Sequence, residues 1–418
     1  MSRLEKYPNY KDSGVEWIGE IPEHWKITKL GLCLTPVSIK NRSDLLLLSV
    51  VREKGIILRD IEDQDSNHNF IPDDLSNYKM VKKGQFAMNK MKAWQGSYGV
   101  SDHTGIVSPA YYVFKLQHVK PDFFHLAIRS KSTYVPFFVQ ASDGVRIGQW
   151  DLSKTRMKEI PFYLPTEEEQ DKIVKYIRDS NKKIDQAITL KEQLIEKLKE
   201  RRQVLINDAI TKGLDPNVKM KDSGVEWIGE IPEHWEVKKL KYVLLLQNEK
   251  TTITSEKVVA LENLESKTGM FIETNSKYEG EGVVFKKGNI LFGKLRPYLA
   301  KVYHCKESGI AFGDLLVYKP LNINSLFAFY FMLSNNFIQI VDGSTYGTKM
   351  PRASSDFINN LLFPLPPLQE QKQIVDFIEN QTSKIDNAIN LQQKQIVKLK
   401  EYKTTLIDSV VTGKVRVS

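Results

Sequence analysis

The chain has 418 residues, of which 41% are apolar, so it is long enough for two or three globular domains with cores of their own. No apolar run approaches the ~20 residues that span a bilayer, and the N-terminal MSRLEKYPNY lacks the apolar stretch of a signal peptide, which predicts a cytoplasmic protein without a membrane partner. Lys and Arg number 60 against 51 Asp and Glu, and this net charge of +9 favours a polyanionic partner, although a mildly basic protein without one has the same balance.

The first feature along the chain is a repeated phrase. The letters KDSGVEWIGEIPEHW at 11–25 return unchanged at 221–235. Such repeats indicate that one structural plan is used more than once. Further matching pairs are KKG at 82–84 and 286–288, GIVSPAYYVFK at 105–115 and GIAFGDLLVYK at 309–319, and FYLPTEEEQDKIVKYI at 162–177 and FPLPPLQEQKQIVDFI at 363–378. The chain is therefore two copies of one plan.

Each copy begins with a globular region, at 1–160 and at 215–364. Short apolar runs such as LLLLSV, YYVFKL and LLVYK alternate with helical stretches such as FFHLAIRSK, and Gly and Pro separate them at short intervals. This pattern is typical of a strand-rich α/β domain. Residues 31–80 and 241–283 hardly agree between the copies, which indicates two scaffolds with different working surfaces, or simply loops that have drifted.

Each copy ends in a long predicted helix, at 161–214 and at 365–418. Thr166 and Glu169 form a candidate capping box, and Gly213 is a candidate stop. An apolar stripe with a seven-residue period predicts antiparallel coiled-coil pairing with an internal pseudo-twofold repeat. The stripe consists of Ile177, Ile184, Leu198 and Leu205 in the first helix and of Ile378, Ile385, Leu399 and Leu406 in the second.

Both stripes are interrupted at the same step, by Lys191 and by Gln392. A buried polar residue at such a step can fix the register of paired helices. Alternatively, Leu190 and Leu391, one residue earlier, take over the contact.

The sequence offers little for catalysis. GNILFGK at 288–294 has the spacing of a phosphate-binding loop, but Leu295 stands where Ser or Thr belongs and the intervening residues are apolar, as in a buried strand. There is no Gly-rich nucleotide loop after a strand, no methyltransferase motif and no metal-ligand spacing among the histidines. Cys33 and Cys305 are far apart and are expected to be buried thiols.

Two equivalent short stretches, KMKAW at 90–94 and KLRPY at 294–298, carry the signal for nucleic acid. On a strand, alternate residues share one face, which would then present two cations and an aromatic ring. Such a face suits phosphate contacts and base packing, but it also fits a solvated strand face. The predicted DNA-binding residues on these stretches are Lys90, Lys92 and Trp94, and Lys294, Arg296 and Tyr298.

Two Gly-containing loops before the long helices, GVRIGQW at 144–150 and STYGTKMPR at 344–352, supply further candidates. Their side chains can donate to base edges, or the loops can be caps that close each domain. The candidates here are Arg146, Gln149 and Trp150, the nearby Arg156, and Tyr346, Lys349 and Arg352.

With these motifs in view, the sequence resembles the specificity subunits of Type I restriction–modification systems. The resemblance rests on SGVEWIGEIPEHW, on KKG followed by FAMNKMKAWQGSYG, on PLPPLQEQ before a long helix, and on the order of variable domain and conserved helix, twice. It covers essentially the full chain. One departure is Thr166–Glu169, which stands where the second copy has a proline-rich start.

The resemblance implies two target recognition domains, each of which recognises one half of a split sequence in double-stranded DNA. It implies that the two conserved helices are the spacer and bind two modification subunits, which carry S-adenosylmethionine, while restriction subunits use ATP and Mg. This chain itself would hold no cofactor and would not be an enzyme. The rival hypotheses are a self-contained DNA-modifying enzyme and a scaffold that does not bind DNA. Trp17, Trp25, Trp227 and Trp235 are expected to anchor the repeated phrase against the helical scaffold.

Overall fold

The chain forms two compact units, and each contains one copy of the repeated phrase. Unit 1 comprises Met1–Leu190 with Gln395–Ser418, and unit 2 comprises Lys191–Lys394. In the described part of the chain, no helix is long and apolar enough to cross a membrane. The computed structural model describes residues 5–59, 71–146, 149–253, 257–345, 347 and 349–417, with the backbone alone at 145, 146 and 149.

Unit 1 is a strand-rich α/β unit, as the sequence predicts. The strands are β1 (Tyr10–Asp12), β2 (Glu20–Pro22), β3 (Lys26–Lys29), β4 (Leu34–Val37), β5 (Leu48–Val51), β6 (Gly55–Leu58), β7 (Lys79–Val81), β8 (Phe86–Asn89), β9 (Tyr98–Val100), β10 (Gly105–Val107), β11 (Tyr111–Leu116), β12 (Ser142–Arg146), β13 (Gln149–Leu152) and β14 (Pro161–Leu164). The helices are α1 (Pro121–Ile128), α2 (Lys131–Gln140), α3 (Lys154–Glu159) and the long α4 (Glu167–Lys212), which continues into unit 2.

Unit 2 repeats this order of elements with local changes. The strands are β15 (Met220–Asp222), β16 (Glu230–Pro232), β17 (Glu236–Lys239), β18 (Leu244–Gln247), β19 (Lys250–Thr252), β20 (Val258–Val259), β21 (Glu281–Phe285), β22 (Ile290–Gly293), β23 (Val302–His304), β24 (Gly309–Ala311), β25 (Leu315–Pro320) and β26 (Leu362–Leu365). The helices are α5 (Ser325–Leu333), α6 (Asn335–Gly343), α7 (Ser355–Asn360) and the long α8 (Leu368–Val411), whose last turns belong to unit 1.

Each unit has its own four-stranded central sheet, and the two sheets have the same topology. The strand order is β4-β11-β8-β9 in unit 1 and β18-β25-β22-β23 in unit 2, and every neighbouring pair is antiparallel. The aromatic side chains of β8 and α1 meet behind the sheet of unit 1, where the rings of Phe86 and Phe124 lie 5.1 Å apart and both are buried. Burial of such large rings is a main source of stability for each unit.

The units differ where their sequences diverge. In unit 1, β5 and β6 form a hairpin, and β7 pairs with β10. In unit 2, a second four-stranded sheet has the order β19-β21-β24-β20, in which β20 runs parallel to β24. The divergent stretches 31–80 and 241–283 therefore build different structures on central sheets of the same topology.

The repeated phrase folds in the same way twice. Lys11 faces Ile21 across the β1–β2 hairpin, and its Nζ donates to the carbonyl oxygen of Trp25 at 2.6 Å. Lys221 makes the same contact with the carbonyl oxygen of Trp235 at 2.6 Å. Each phrase is thus a small closed loop whose last residue is a tryptophan without solvent exposure.

The four tryptophans of the two phrases do not all serve the long helices. Trp25 donates to Glu169 on α4 at 3.1 Å, as the anchoring prediction requires. Trp17, however, is 44% exposed and lies against Phe137 of α2. Trp227 contacts Phe331 and Phe337 on α5 and α6. The prediction is wrong for Trp17 and Trp227, because each of them packs on the short helices of its own domain.

The long helices begin and end largely as predicted. Thr166 accepts the Glu169 N–H at 3.3 Å, but the Glu169 carboxylate turns to Tyr7 and Trp25, so only half of the capping box forms. Gly213 follows α4 with φ +74° and Gly413 follows α8 with φ +72°, a conformation that glycine adopts without strain. A Cβ on Gly413 would lie 2.2 Å from the Pro22 side chain, so packing also requires glycine at this position.

Candidate DNA interface and helical spacer

The turn that follows β8 replaces the strand predicted over 90–94. β8 ends at Asn89, whose side-chain oxygen accepts the Met91 N–H at 3.0 Å, and a 3-10 turn follows over Ala93–Gln95. An Asn side chain that binds a nearby backbone N–H competes with a strand ladder in this way. Lys90, Lys92 and Trp94 therefore do not share one strand face, and that prediction is wrong.

The same correction applies in unit 2. β22 ends at Gly293, Arg296 has φ +51°, and a 3-10 turn covers Pro297–Leu299. Pro297 has no N–H for a ladder, so a strand cannot continue through the predicted stretch. Lys294, Arg296 and Tyr298 thus lie on an irregular turn, where Arg296 is exposed and Tyr298 is 46% exposed.

In each unit, the structure joins this turn to the residues at and just after the end of the second predicted segment, which lie just before a short helix. The Leu152 N–H donates to the carbonyl of Lys90 at 3.2 Å, and the Ala353 N–H donates to the carbonyl of Lys294 at 2.9 Å. Leu152 and Ala353 each stand two residues before a short helix, α3 or α7. Two groups of candidates that are distant in sequence are therefore neighbours, and we call each pair of segments a junction: 90–95 with 150–152, and 294–298 with 351–353.

The unit 1 junction is aromatic and charged. The rings of Trp94 and Trp150 stack at 5.0 Å with an interplanar angle of 25°. The Trp94 indole N–H is buried and has no hydrogen-bond partner among the described residues. Lys90 lies 3.3 Å from Asp151, and Lys92 is exposed. Stacked tryptophans beside lysines are of the type that packs against nucleic-acid bases and sugars.

Several candidates lie at or beyond the limits of the described structure. The sequence predicts a loop over 144–150, but most of this stretch forms the β12–β13 hairpin, in which the backbone of Arg146 pairs with that of Gln149. The side chains of Arg146 and Gln149, and the whole of Tyr346, fall outside the described residues. Lys349 is exposed, and Arg156 forms an ion pair with Asp143.

The unit 2 junction is organised by one carboxylate. Arg352 Nη2 donates to Asp314 Oδ2 at 2.9 Å, and its Nε lies 3.2 Å from Oδ1. The Nζ of Lys294 lies 3.7 Å from the same carboxylate. The Lys294 N–H also donates to the Asp314 carbonyl at 3.0 Å. Two predicted DNA-binding cations therefore share one aspartate.

Three residues near the unit 1 junction were missed by the sequence reasoning. The Nζ of Lys79 donates to the carbonyls of Pro109 and Tyr111, both at 2.7 Å. Partial burial lowers the pKa of Lys79, and the positive charges of Lys154, Lys40 and Lys90 lower it further. Lys154 in turn lies 4.4 Å from the ring centre of Tyr112. Only the fold places Lys79, Tyr112 and Lys154 together, so spacing along the chain carried no signal for them.

The predicted stripe residues of the long helices are buried to different degrees. Ile177 and Ile184 in unit 1 and Ile378 and Ile385 in unit 2 are under 9% exposed, whereas Leu198, Leu205 and Leu399 are half-buried. The last stripe residue, Leu406, is 4% exposed. A second buried row, missed in the sequence although it lies four residues after the first, contains Ile188, Ile195, Ala209, Thr382, Ile396 and Val410.

The two polar interruptions of the stripe meet each other. Lys191 Nζ donates to Gln392 Oε1 at 3.0 Å within unit 2. Leu190 is 65% exposed and Leu391 is 53% exposed, so the alternative in which these leucines take over the contact is wrong. Sequence-equivalent ion pairs also occur: Asp185 with Lys403 at 2.7 Å in unit 1, and Asp386 with Arg202 at 3.7 Å in unit 2.

The described residues offer little to reaction chemistry. The ILFG part of GNILFGK forms the buried strand β22, as the apolar residues predict. The described residues contain no group of three His, Cys, Asp or Glu side chains that could hold a metal ion. Burial raises the pKa of Cys33 to about 11 and that of Cys305 to about 12, so both thiols remain protonated at neutral pH.

Comparisons with known proteins bear on the whole chain. Residues 232–401 match the family model for the Type I restriction modification DNA specificity domain. The MjaVIII specificity subunit of Methanocaldococcus jannaschii is 28% identical over 285 residues, which span 64% of each chain and thus just under two thirds of that relative. The putative MjaX specificity subunit of the same organism is 23% identical over 458 residues, with 96% of each chain covered.

A solved structure also has the same fold. Its subject is complex assembly and conformational transition of the Type I R-M system, and the alignment covers 94% of this chain and 98% of the other with a TM-score of 0.66 at 13% identity. The family match lies in the second half of the chain, while the second relative and the solved structure align with 96% and 94% of it. In sequence, the chain is therefore similar to the specificity subunits of Type I restriction–modification systems.

Proposed function

We propose that this chain is the DNA sequence-specificity subunit of a Type I restriction–modification complex in a prokaryotic cytoplasm. Residues 1–160 and 215–364 are the two target recognition domains, and each recognises one half of a bipartite site in double-stranded DNA. The observation that carries the proposal is the junction built twice at equivalent places, with cations and aromatic rings, on domains whose middles differ. A DNA target in two halves requires two domains that have the same fold and different recognition surfaces.

The junction residues divide into two kinds of DNA contact. Exposed Lys92 and Arg296 suit phosphates, which position a protein without selecting a sequence. The stacked Trp94 and Trp150 suit base or sugar packing. Arg146, Gln149, Tyr346 and Lys349 belong to the segments 144–150 and 344–352, next to the junctions in sequence, and we assign base-edge contacts to them because side chains of these types can donate to base edges.

The long helices, residues 161–214 and 365–418, are the proposed spacer. The Lys191–Gln392 hydrogen bond supports one register, because a slipped pairing would leave both polar groups facing apolar stripe residues. The ion pairs Asp185–Lys403 and Arg202–Asp386 support the same register. A single register implies a single preferred gap between half-sites.

The helices also supply the proposed docking sites for two modification subunits. Leu190 in unit 1 and Leu391 in unit 2 are more than half exposed at equivalent positions of the two long helices. An exposed leucine within a charged helix is a suitable centre for a protein contact. In this proposal the modification subunits hold S-adenosylmethionine, restriction subunits use ATP and Mg, and this chain performs no catalysis.

Salt-dependent duplex binding tests the proposed function. The purified chain, alone and with the modification subunits, is assayed for methyl transfer and for binding to random-sequence and selected duplexes. We expect methyl transfer only by the complex, and binding that weakens linearly with the logarithm of salt concentration. Methyl transfer by the chain alone would favour a self-contained enzyme. A complex that forms but does not bind duplex DNA would favour a scaffold.

Docking is tested by the number of modification subunits retained. Leu190→Asp and Leu391→Asp each place a charge in one proposed contact, so each variant should keep one modification subunit instead of two. Val204→Asp is the matched control, because Val204 is 60% exposed on α4 but has no equivalent leucine in the other copy. Native mass spectrometry gives the stoichiometry, and two retained subunits in all three variants would contradict the assignment.

A further inference from the structure

At both junctions a carboxylate contacts the cations, Asp151 from within the unit 1 junction and Asp314 from a third segment in unit 2, which is unexpected on a surface that binds a polyanion. We infer that Asp314 in unit 2, and Asp151 in unit 1, are specificity-determining residues that act as internal counter-ions. They hold the junction cations away from phosphates at random sequence and thereby lower non-specific DNA binding. This inference rests on the proposed function and goes beyond it, because it assigns discrimination to residues that need not touch DNA.

The geometry in unit 2 is that of a shared clamp. Arg352 offers Nε and Nη2 to the two oxygens of Asp314, and Lys294 approaches the same carboxylate. The Asp314 side chain is 22% exposed, less than either cation. Backbone bonds from Lys294 to Asp314 and from Arg296 to Pro351 hold the three segments together. The carboxylate therefore lies in a fixed position beneath the cations.

Unit 1 reaches the same pairing from a different sequence. Asp151, one residue before the Leu152 that bonds to Lys90, stands at the position equivalent to Arg352. The sign of the charge at this position is therefore reversed between the units. Even so, Lys90 and Lys294 at equivalent places both have a carboxylate within 4 Å, supplied by residues that are not equivalent. Because non-equivalent residues supply the carboxylate in the two units, we infer that the lysine–carboxylate pair itself has a function.

The stability of the folded units does not explain why these ion pairs are present. Exposed ion pairs contribute little to folding, since solvent screens them and the side chains lose freedom. Their effect on DNA binding is larger, because non-specific affinity comes almost entirely from cation–phosphate contacts. At random sequence, Lys294 and Arg352 would have to leave Asp314 to reach phosphates. At the target, base-edge contacts hold the domain, and the cations keep their carboxylate.

The test compares Asp314→Asn with the native chain, each in complex with the modification subunits. Binding is measured between about 50 and 200 mM salt, to random-sequence duplex and to a target selected from a randomised library by the native complex. For random sequence we expect the log–log salt slope to steepen by about 1–2 and the affinity to rise about tenfold, as one or two additional phosphate contacts require. Affinity for the target should change less, so the ratio of target to random binding falls.

Glu233→Gln is the matched control, because it removes one negative charge from the exposed Lys219–Glu233 pair in the same unit. Asp314→Glu should restore the native slope, and Asp151→Asn should reproduce the effect through unit 1, which keeps the test valid if one variant fails to fold. Equal slopes for Asp314→Asn and Glu233→Gln would overturn the inference. So would a loss of target affinity at a single base pair, which would make Asp314 a base-reading acceptor.

Failure of the proposed function would look different. The native complex itself would then select no target from the library or show no dependence on salt. Failure of the inference leaves native selection and native salt dependence intact and affects only the comparison among variants.

Discussion

Glu169 ties the first repeated phrase to the start of α4, and its removal should destabilise unit 1. Its carboxylate accepts from the hydroxyl of Tyr7 at 2.5 Å, from the indole N–H of Trp25 at 3.1 Å, and from the ring of His24 at 2.9 Å. The donors lie 144 residues or more away in sequence. Glu169→Ala therefore breaks a long-range closure of the unit.

The magnitude follows from how buried each donor is. A hydrogen bond from buried Tyr7 to a charged acceptor contributes about 1.5–3 kcal/mol, and leaving the fully buried Trp25 N–H unpaired costs about 1–3 kcal/mol. His24 is half exposed, so its contact contributes at most about 1 kcal/mol. Because contributions around one carboxylate are not additive, we expect a total loss of about 3–5 kcal/mol.

Glu370 is the matched control, since it is the equivalent residue in unit 2. It contacts His234 at 2.8 Å, but the indole N–H of Trp235 is buried without a partner among the described residues. Glu370→Ala should therefore cost only about 1 kcal/mol. Denaturant unfolding measures the total loss of unfolding free energy in each variant. Comparing hydrogen exchange at residues 5–25 with that at 215–235 shows which unit is destabilised. Equal losses in the two variants would refute the reasoning from these contacts.

Three further predictions concern the helices and one histidine. Inserting one heptad in each long helix, in phase with the stripe, adds about 10 Å to the helix. The preferred gap between methylated half-sites should therefore lengthen by about three base pairs, as sequencing of methylated library DNA would show. An unchanged gap would contradict the spacer assignment. Leu198→Asp combined with Leu399→Asp places charges in the half-buried stripe and should abolish both helix pairing and co-purification of the modification subunits; a normal complex would contradict it. Burial, and then the charge of Arg129, lowers the pKa of His125, so the unfolded chain binds its proton first as pH falls, and stability present above pH ~6.5 is lost below it. Melting temperatures at pH ~7.5 and ~5.5 should converge in His125→Gln, and an undiminished difference would count against this cause.

The long helices were predictable because their signal is local. The seven-residue stripe and Gly213 are visible in a window of a few turns, and helix boundaries follow from them. The second buried row, with Ile188 and Ile195, was equally visible at a spacing of four residues. The seven-residue stripe does not include this row, because each of its members lies four residues after a stripe position.

The junctions show what sequence patterns cannot supply. The end of β8 depends on whether the Asn89 side chain turns back to Met91, a choice that alternation of residue types does not reveal. The Asp314–Arg352 pair joins residues 38 positions apart, and nothing in the sequence around either residue indicates the other as its partner. Candidate positions were therefore accessible from the repeat, while their partners required the fold.

The central claim is that each unit recognises its own half-site, and methylation of a randomised duplex library tests it most directly. Complexes carrying Arg146→Ala or Gln149→Ala in unit 1 are compared with complexes carrying Lys349→Ala in unit 2. Loss of a bidentate base contact should cost about 1–3 kcal/mol at one position of one half-site. We predict that unit 1 variants relax one half-site and leave the other strict, and that the unit 2 variant does the reverse. If a change in one unit loosens both half-sites together, the units are not independent readers, and the account is wrong.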